Sequence, residues 1–415
     1  MNSGLKAVWA VRNLRILVLA RFISNLGNGL APVAVSFGVL DLPGGNGKTL
    51  SLVMVANFLP LVLFTLVGGV IGDRLPRAAL VGATDVLLAI FVMGNGLALI
   101  TGNGSITLFV IVGAVGGFLN AIWYPSMSAL TSDLADPKIL QESNSAILLS
   151  SNIAMIIGTS LGGVIVATIG SGWAILIDGV TFLIAGLLVF ALRGATPVSP
   201  QERKSTIAEL RTGWREFRTR TWIFTVVLSF SFVVSAERAV YSVLGPLVAD
   251  ENLGGPKPWS WILACWAVGS VVGVLIAGKF KPKYPIRTAI LTQFPLFFWF
   301  YSLAHTNQIW LIAIFAFLVG VAFDLFYVLW VTTLQQHVPK ESLSKVMAYD
   351  VLGSLALAPL GLAIAGPLAE EFGATSVINV IGFIFIIVLV VPLLFRDVRM
   401  IESRHEVAHQ ESGEK

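Results

Sequence analysis

The chain has 415 residues, of which 56% are hydrophobic and only 12% are charged, and its mean hydropathy is +0.85. A soluble protein of this length could not bury so much apolar surface, so we expect an integral membrane protein. The net charge of +4 comes from basic residues scattered between apolar runs, which argues against nucleic acid as a partner. The single cysteine, Cys265, excludes an intrachain disulfide framework and a cysteine-based metal cluster, and we expect neither a metal nor a cofactor.

Twelve apolar runs follow one another along the chain, each long enough to cross about 30 Å of hydrocarbon as a helix. The first run is not a cleavable signal peptide, because its apolar stretch is too long and contains Arg21. The sequence therefore predicts an all-α membrane protein with twelve transmembrane helices in two sets of six. The predicted spans cover residues 13–39, 50–72, 77–101, 105–130, 142–169, 172–192, 222–247, 259–279, 285–304, 308–333, 344–369 and 374–395.

One sizeable polar segment inside the chain separates the two sets of spans. Within it, Ile207, Leu210, Trp214 and Phe217 recur at helical spacing opposite a charged face. This pattern is typical of an amphipathic helix at the membrane surface, and equally of a solvated linker helix. The predicted organisation is an N-terminal bundle over 1–192, a cytoplasmic linker over 193–221, a C-terminal bundle over 222–396 and a polar cytoplasmic tail over 397–415.

The basic residues between the spans indicate the orientation of the chain. Nearly all of them fall on the segments that share a side with the two termini, whereas the loops on the other side hold only Lys48 and Lys257. Cytoplasmic loops carry an excess of Lys and Arg, so this distribution predicts that both termini are cytoplasmic.

A short charged loop joins the second and third spans and reads Gly69-x-x-x-Asp73-Arg74-x-x-Arg77. The loop resembles the one between helices 2 and 3 of the major facilitator superfamily of secondary transporters, where it helps to close the cytoplasmic side. Two positions depart from the fuller pattern of that family, Pro76 in place of a glycine and Ala78 in place of a second basic residue. Without the resemblance, the same residues are explained by a tight turn carrying a topology signal.

An internal repeat relates the two sets of spans. Gly158, Gly163 and Gly170 recur at one offset as Gly361, Gly366 and Gly373, in the fifth helix of each set. The sequence therefore predicts two pseudo-symmetric six-helix bundles. In such folds the substrate binds near the middle of the membrane at the repeat interface, and the bundles rock around it.

The later spans resemble a particular branch of that superfamily, the exporters that include bacterial macrolide efflux pumps and the enterobactin exporter. The residues that carry this resemblance are Trp330-x-Thr332-x-Leu334-Gln335-x-x-Val338-Pro339, Pro359-Leu360-Gly361, Gly366-Pro367-Leu368, Asp178-x-x-Thr181-Phe182 and Leu244-Gly245-Pro246. One departure is Asn28, where the branch often places an aspartate, so we expect no proton site in the first helix. The resemblance implies a drug:proton antiporter in a bacterial-type cell membrane.

Ionisable residues inside the spans are the candidates for function, because each is costly to bury without a partner or water. Asp350, close to the cytoplasmic end of the eleventh span, is expected to pair with Arg74 or Arg77 when the cytoplasmic side is shut. The predicted cytoplasmic gate is therefore Gly69, Asp73, Arg74, Arg77 and Asp350. The alternative is a permanent bridge between helices.

Glu237 and Asp324 are the leading candidates for proton coupling, since a carboxylate that loads and releases a proton is usually buried near a cation. Arg238 and Arg21 are expected to tune these carboxylates or to bind an anionic group of the substrate. The alternative is that Glu237 and Arg238 each pair only locally. Asp85 and Asp178 are interpreted as structural acids, and Glu142 as an interfacial acid at a helix start.

The function predicted from these features is export of hydrophobic or amphipathic small molecules, such as drugs, antibiotics or siderophore-like compounds, by alternating access and proton antiport. Aromatic residues concentrated in the ninth and tenth spans suit such cargo, although most aromatic residues of membrane proteins face lipid. The chain lacks the GxxxxGK[ST] loop of ATP-hydrolysing enzymes, and His405 and His409, whose spacing could bind a metal on a helix, are expected in a solvated tail, so we expect no enzyme activity. The predicted partners are a small molecule, protons and the lipid bilayer, with the protein as a monomer. A lysolipid flippase, a metabolite uptake transporter and a non-transporting receptor or scaffold are the alternatives.

Overall fold

The computed structural model describes residues 3–72, 75–192, 194 and 214–403, and these residues are almost entirely helical, with no β-strand among them. The first half begins with the short helix α1, and long helices follow. Their bounds are α1 Ser3–Ala10, α2 Arg12–Leu40, α3 Gly47–Gly72, α4 Arg77–Ile100, α5 Ile106–Leu134, α6 Leu140–Ile169 and α7 Ser171–Phe190.

The second half has more interruptions than the first. A π-helical turn, Val240–Leu244, separates the first two helices, and a second one, Ala249–Leu253, follows α9. The bounds are α8 Thr221–Ala239, α9 Gly245–Val248, α10 Pro256–Ala277, α11 Pro285–Leu291, α12 Phe294–His305, α13 Ile309–His337, α14 Lys340–Leu355, α15 Ala358–Phe372, α16 Ala374–Leu394 and α17 Arg396–Arg399.

Two compact units divide the chain. The first comprises Met1–Glu202 together with Ala249–Ala264, and the second comprises Arg203–Val248 together with Cys265–Lys415. Most of the predicted linker lies outside the described residues, but residues 214–219 of it are helical. Phe217 is buried there, and its ring and that of Trp214 pack on Tyr349 of α14 within the second unit.

Eleven helical segments of the described chain are long and apolar enough to cross a membrane. The ninth predicted span, over 285–304, is instead two helices, α11 of 7 residues and α12 of 12 residues. Pro295 explains the break, because its ring nitrogen has no hydrogen to donate to the carbonyl of Leu291, the last residue of α11. The expectation of one unbroken helix in this segment was wrong, while the all-α membrane fold is confirmed.

Two pairs of corresponding glycines occupy equivalent structural positions in the two units. Gly170 joins α6 to α7 with φ of +94°, and Gly373 joins α15 to α16 with φ of +82°. Gly158 of α6 lies against the backbone of α2, and Gly361 of α15 lies against Ser235 of α8. The glycines thus serve the fifth helix of each set in the same two ways, as a connection to the sixth helix and as a close contact with the first.

Candidate functional site

A buried acid lies at the end of α8, immediately before the first π-helical turn. The side chain of Glu237 is only 8% exposed, whereas that of its neighbour Arg238 is 44% exposed. The Arg238 Nε atom lies 3.4 Å from Glu237 Oε2, so the two adjacent residues form an ion pair. Single-turn π segments inside helices are frequent at functional sites. One contact of Glu237 is therefore with its own neighbour, and a role of the two residues in proton coupling or substrate binding stays a prediction.

Tyr241 lies in the π-helical turn, one helical turn beyond Glu237, and interacts electrostatically with both Glu237 and Arg238. Its ring meets Trp266 of α10 edge-on, with 5.6 Å between ring centroids. Trp266 also contacts Trp299 of α12 at 5.1 Å and Phe323 of α13 at 5.8 Å. Trp266 is therefore the centre of an aromatic group that connects α8 with α12 and α13.

Asp324 follows Phe323 in α13, is half-buried and lies beside the hydroxyl of Ser270 in α10. Glycines bring α10 and α13 close enough for this contact: a Cβ atom added to Gly320 would lie 2.7 Å from the backbone nitrogen of Ser270. Gly269 and Gly273 of α10 face the backbone of α13 in the same way. Three predicted site residues, Glu237, Arg238 and Asp324, thus belong to one unit. The contacts of Tyr241 and Trp266 lead from Glu237 to Phe323, the residue before Asp324.

An apolar cavity of about 490 Å³ lies between α8, α15 and α16 in the same unit. Fourteen residues line it, and only two of them, Ser235 and Ser376, are polar. The Ser235 hydroxyl donates a 2.9 Å hydrogen bond to the carbonyl of Leu357, at the interruption between α14 and α15. The volume falls in the range of cavities that bind drug-sized ligands.

Arg21, the fourth predicted coupling residue, belongs to the first unit and has its own acidic partner there. Its guanidinium lies 4.5 Å from the centre of the Trp123 ring of α5. Asp85 of α4 is buried, interacts electrostatically with Arg21 and lies near Trp123. The structure therefore joins Asp85, which was interpreted as a structural acid, to Arg21, which was interpreted as a functional cation.

The predicted cytoplasmic gate is described only in part. Gly69 lies in the last turn of α3, whereas Asp73 and Arg74 lie outside the described residues. Arg77 begins α4, and its Nη1 atom lies 2.7 Å from Oδ1 of Asp133, near the end of α5. Asp350 of α14 accepts a 3.0 Å hydrogen bond from the indole nitrogen of Trp330. Pairing of Asp350 with Arg74 or Arg77 stays a prediction.

The other two predicted acids differ in their surroundings. Asp178 of α7 is 5% exposed, and its Oδ1 atom has no hydrogen-bond partner among the described residues. Glu142 lies in the first turn of α6 and is half-exposed, as expected of an interfacial acid.

Sequence reasoning missed Asp41, which follows α2 at the end of a span. It lies in a cavity of about 360 Å³ with Gly170, Ser171 and Trp173. Burial and the nearby carboxylate of Asp250, in the same unit, raise the pKa of Asp41, while the hydroxyl of Ser171 at 3.5 Å opposes this effect. The position of Asp41 directly after an apolar run was the only signal in the sequence.

Comparisons with known proteins agree with this architecture. The sequence profile of the Major Facilitator Superfamily matches residues 17–292 and 232–414. The multidrug efflux pump Tap of Mycolicibacterium fortuitum is 26% identical over 376 residues, which cover 87% of this chain and 90% of that protein. The Tap pump of Mycobacterium tuberculosis is 28% identical over 372 residues, covering 86% and 87% respectively.

Solved structures show the same fold. The crystal structure of the nucleoside transporter NupG superposes with a TM-score of 0.73 at 15% identity, covering 92% of this chain and 98% of that one. A bacterial homolog of the human lysosomal transporter Spinster, in an inward-facing and unoccupied conformation, gives a TM-score of 0.62 at 15% identity, covering 96% and 98%. At these identities the likeness concerns the fold alone.

Proposed function

The chain belongs to the major facilitator superfamily of membrane transporters, and from this premise we propose that it exports hydrophobic or amphipathic small molecules in exchange for protons. The observation that carries the proposal is the pair formed by Glu237 and Arg238 at the start of the π-helical turn. Sequence similarity to the Tap multidrug efflux pumps supports the class of cargo.

In the proposed exchange, Glu237 binds and releases the proton. An ionised carboxylate withdrawn from water is very costly unless it has a counter-charge. Arg238 supplies that charge 3.4 Å away, and almost half of its side chain is exposed. When Glu237 takes up a proton, the charge left on Arg238 is still partly solvated. Both states of the carboxyl group are thereby accessible, which is the property that a proton carrier needs.

Asp324 gives the second unit another carboxyl group that can bind a proton. Ser270 is beside it, so the ionised form has a neutral hydrogen-bond donor rather than a fixed cation. Tyr241 interacts electrostatically with Glu237, and Trp266 contacts both Tyr241 and Phe323, the residue before Asp324. In the proposed mechanism a flat or cationic cargo binds against these rings, and protonation of the acids weakens its electrostatic attraction.

The apolar cavity between α8, α15 and α16 supports the choice of hydrophobic cargo. Its lining includes Ala236, the residue before Glu237, so the cavity and the ion pair share one stretch of α8. A compound with an apolar body and a polar or charged end matches this combination of surfaces.

The proposal is tested by transport of ethidium into inside-out vesicles from a host without its own efflux pumps. We expect the wild-type chain to accumulate ethidium when the vesicle interior is acidic and to lose that ability when an uncoupler is added. Glu237→Gln and Asp324→Asn should each weaken accumulation and flatten its dependence on pH. Glu251→Gln, at an exposed acid beyond α9, is the matched control and should behave as wild type.

Two results would contradict the proposal. If the wild-type vesicles show no gradient-driven accumulation of ethidium or of other amphipathic cations, the drug-exchange assignment fails. If both acid variants accumulate cargo with the wild-type pH dependence, Glu237 and Asp324 are not the coupling residues.

A further inference from the structure

Among the three buried aspartates in the described spans, Asp178 differs from the other two in its partners. Asp85 has the guanidinium of Arg21 nearby, and Asp350 accepts a hydrogen bond from Trp330. Asp178 is 5% exposed, and its Oδ1 atom is buried without a hydrogen-bond partner among the described residues. A buried polar atom left unsatisfied destabilises a protein, so it requires an explanation beyond packing.

A glycine of the neighbouring helix leaves space for this carboxyl group. Gly27 of α2 faces it, and a Cβ atom at that position would collide with Asp178 Oδ1 and with the hydroxyl of Thr181. The Thr181 hydroxyl donates a 2.7 Å hydrogen bond to the backbone carbonyl of Asp178, so its hydrogen is not directed at the carboxyl group. The oxygen of Thr181 can still accept a hydrogen bond. A protonated Asp178 therefore has an acceptor beside it, whereas an ionised Asp178 gains no donor from Thr181.

Charged groups on the helices packed against α7 are directed elsewhere. On α2, Arg21 interacts with Asp85, which is the acid of α4, and Arg12 and Arg15 lie in its first turn. On α6, Glu142 lies in the first turn of the helix. Beyond the end of α2, Asp41 interacts with Ser171 and Asp250. Also on α4, Arg77 at its first residue pairs with Asp133. No cation of the described chain forms an ion pair with Asp178.

From this geometry we propose that Asp178 is a third proton-binding carboxyl group, located in the first unit, that takes up and releases a proton during transport. The inference rests on the proposed proton exchange and extends it from the second unit to the first. The proton moves between the Asp178 carboxyl and water, with Thr181 accepting a hydrogen bond from the protonated form. Asp178→Asn mimics the protonated side chain and should fix the site in that state.

Two measurements on the purified full chain test the inference. The first follows the infrared C=O band of protonated carboxyl groups during a pH titration in detergent. We expect a titrating band in the wild type and in Glu237→Gln that is missing in Asp178→Asn. Asp136→Asn, at an exposed acid of the same unit that caps a short turn, should leave the band unchanged. A titration that is identical in the wild type and Asp178→Asn overturns the inference, whatever the protein transports.

The second measurement uses the same variants in proteoliposomes with ethidium. Asp178→Asn should abolish transport driven by a pH gradient and retain ethidium counterflow in the absence of a gradient. Retained counterflow also shows that the variant is folded. Wild-type gradient-driven transport by Asp178→Asn overturns the inference while leaving the proposed function intact. If the wild type itself shows no gradient-driven transport, the proposed function fails, and the infrared titration still decides whether Asp178 exchanges a proton.

Discussion

Trp330 and Asp350 join two consecutive helices of the second unit through a single hydrogen bond, 3.0 Å long, from the indole nitrogen of α13 to the carboxylate of α14. Both side chains are buried. A buried carboxylate that loses such a donor is left with an unsatisfied oxygen. Removing the donor therefore costs more stability than the hydrogen bond itself contributes to the free energy of unfolding.

Trp330→Phe is therefore expected to destabilise the protein by about 1–3 kcal/mol, because it removes the donor and leaves Asp350 buried. The measurement is the thermal unfolding midpoint of the purified protein in detergent. In an Asp350→Leu background the same substitution should cost much less, since no carboxylate is then left unsatisfied. Equal costs in the two backgrounds would show that the loss of indole packing, rather than the hydrogen bond, accounts for the effect.

The electrostatic interaction of Arg21 with Asp85 leads to a prediction that separates stability from transport. Arg21→Met leaves the carboxylate of Asp85 buried without the nearby cation, and such a loss should cost about 1–3 kcal/mol. Arg21→Met combined with Asp85→Asn should recover most of that loss, because neither charge remains. The thermal unfolding midpoints of the two single variants and the double variant provide the test.

Ethidium transport by the same double variant decides what the pair does. If Arg21 only balances Asp85, the stable double variant should transport like the wild type. Transport that stays lost in a protein of normal stability would assign Arg21 to the cargo or to coupling, as the sequence first suggested. A double variant no more stable than Arg21→Met alone would contradict the pairing itself.

The helices and the repeat could be predicted from the sequence because both depend on local patterns. Apolar runs of about 20 residues require helices in lipid, and the repeated glycines keep their spacing because they mark the same turns and contacts in each unit. The break in the ninth span was also marked in the sequence, by Pro295, but the hydrophobicity of the run concealed it.

The partners of the charged residues could not be predicted from the sequence. Asp350 was expected to pair with Arg74 or Arg77 when the cytoplasmic side is shut, which stays a prediction. The sequence did not indicate the ion pair that Arg77 forms with Asp133, near the end of the next helix. Such a contact depends on how antiparallel helices are aligned, which the composition of each helix does not determine. For the same reason, only the structure could reveal that Arg21 interacts with Asp85 and that the Oδ1 atom of Asp178 has no hydrogen-bond partner among the described residues.

The backbone conformation of Gly170 leads to a prediction that also applies to Gly373, its counterpart in the repeat. Its φ of +94° and ψ of 160° lie in a region that is essentially restricted to glycine, while a Cβ atom there would meet nothing within 4 Å. Gly170→Ala should therefore cost about 1–3 kcal/mol through backbone strain alone, and Gly373→Ala, at φ of +82°, should cost a similar amount.

Gly94 is the matched control for these substitutions. It lies within α4, its surroundings are equally open, and its φ is that of a regular helix. Gly94→Ala should be neutral or stabilise the protein by up to about 1 kcal/mol. Thermal midpoints that fall equally for Gly170→Ala and Gly94→Ala would contradict the strain argument.

Asp41 gives a prediction about pH, because burial and the carboxylate of Asp250 raise its pKa in the folded protein. A raised pKa means that the folded state binds the proton more tightly than the unfolded state does, so the ionised side chain destabilises the fold. The contribution of Asp41 to stability is thus greatest below the ordinary pKa of aspartate and declines as the pH rises through the folded-state value. Asp41→Asn should remove this decline.

Thermal unfolding midpoints of wild type and Asp41→Asn, measured between pH 4 and pH 8, test the prediction, and Asp397→Asn at an exposed acid is the control. The Asp41→Asn variant should exceed wild type by about 1–2 °C near pH 8, a small difference because Asp41 is partly solvated. Near pH 4 the advantage should shrink, because wild-type Asp41 is then largely protonated. An advantage that grows as the pH falls would have the wrong sign for a raised pKa and would show that the ionised form of Asp41 stabilises the fold instead.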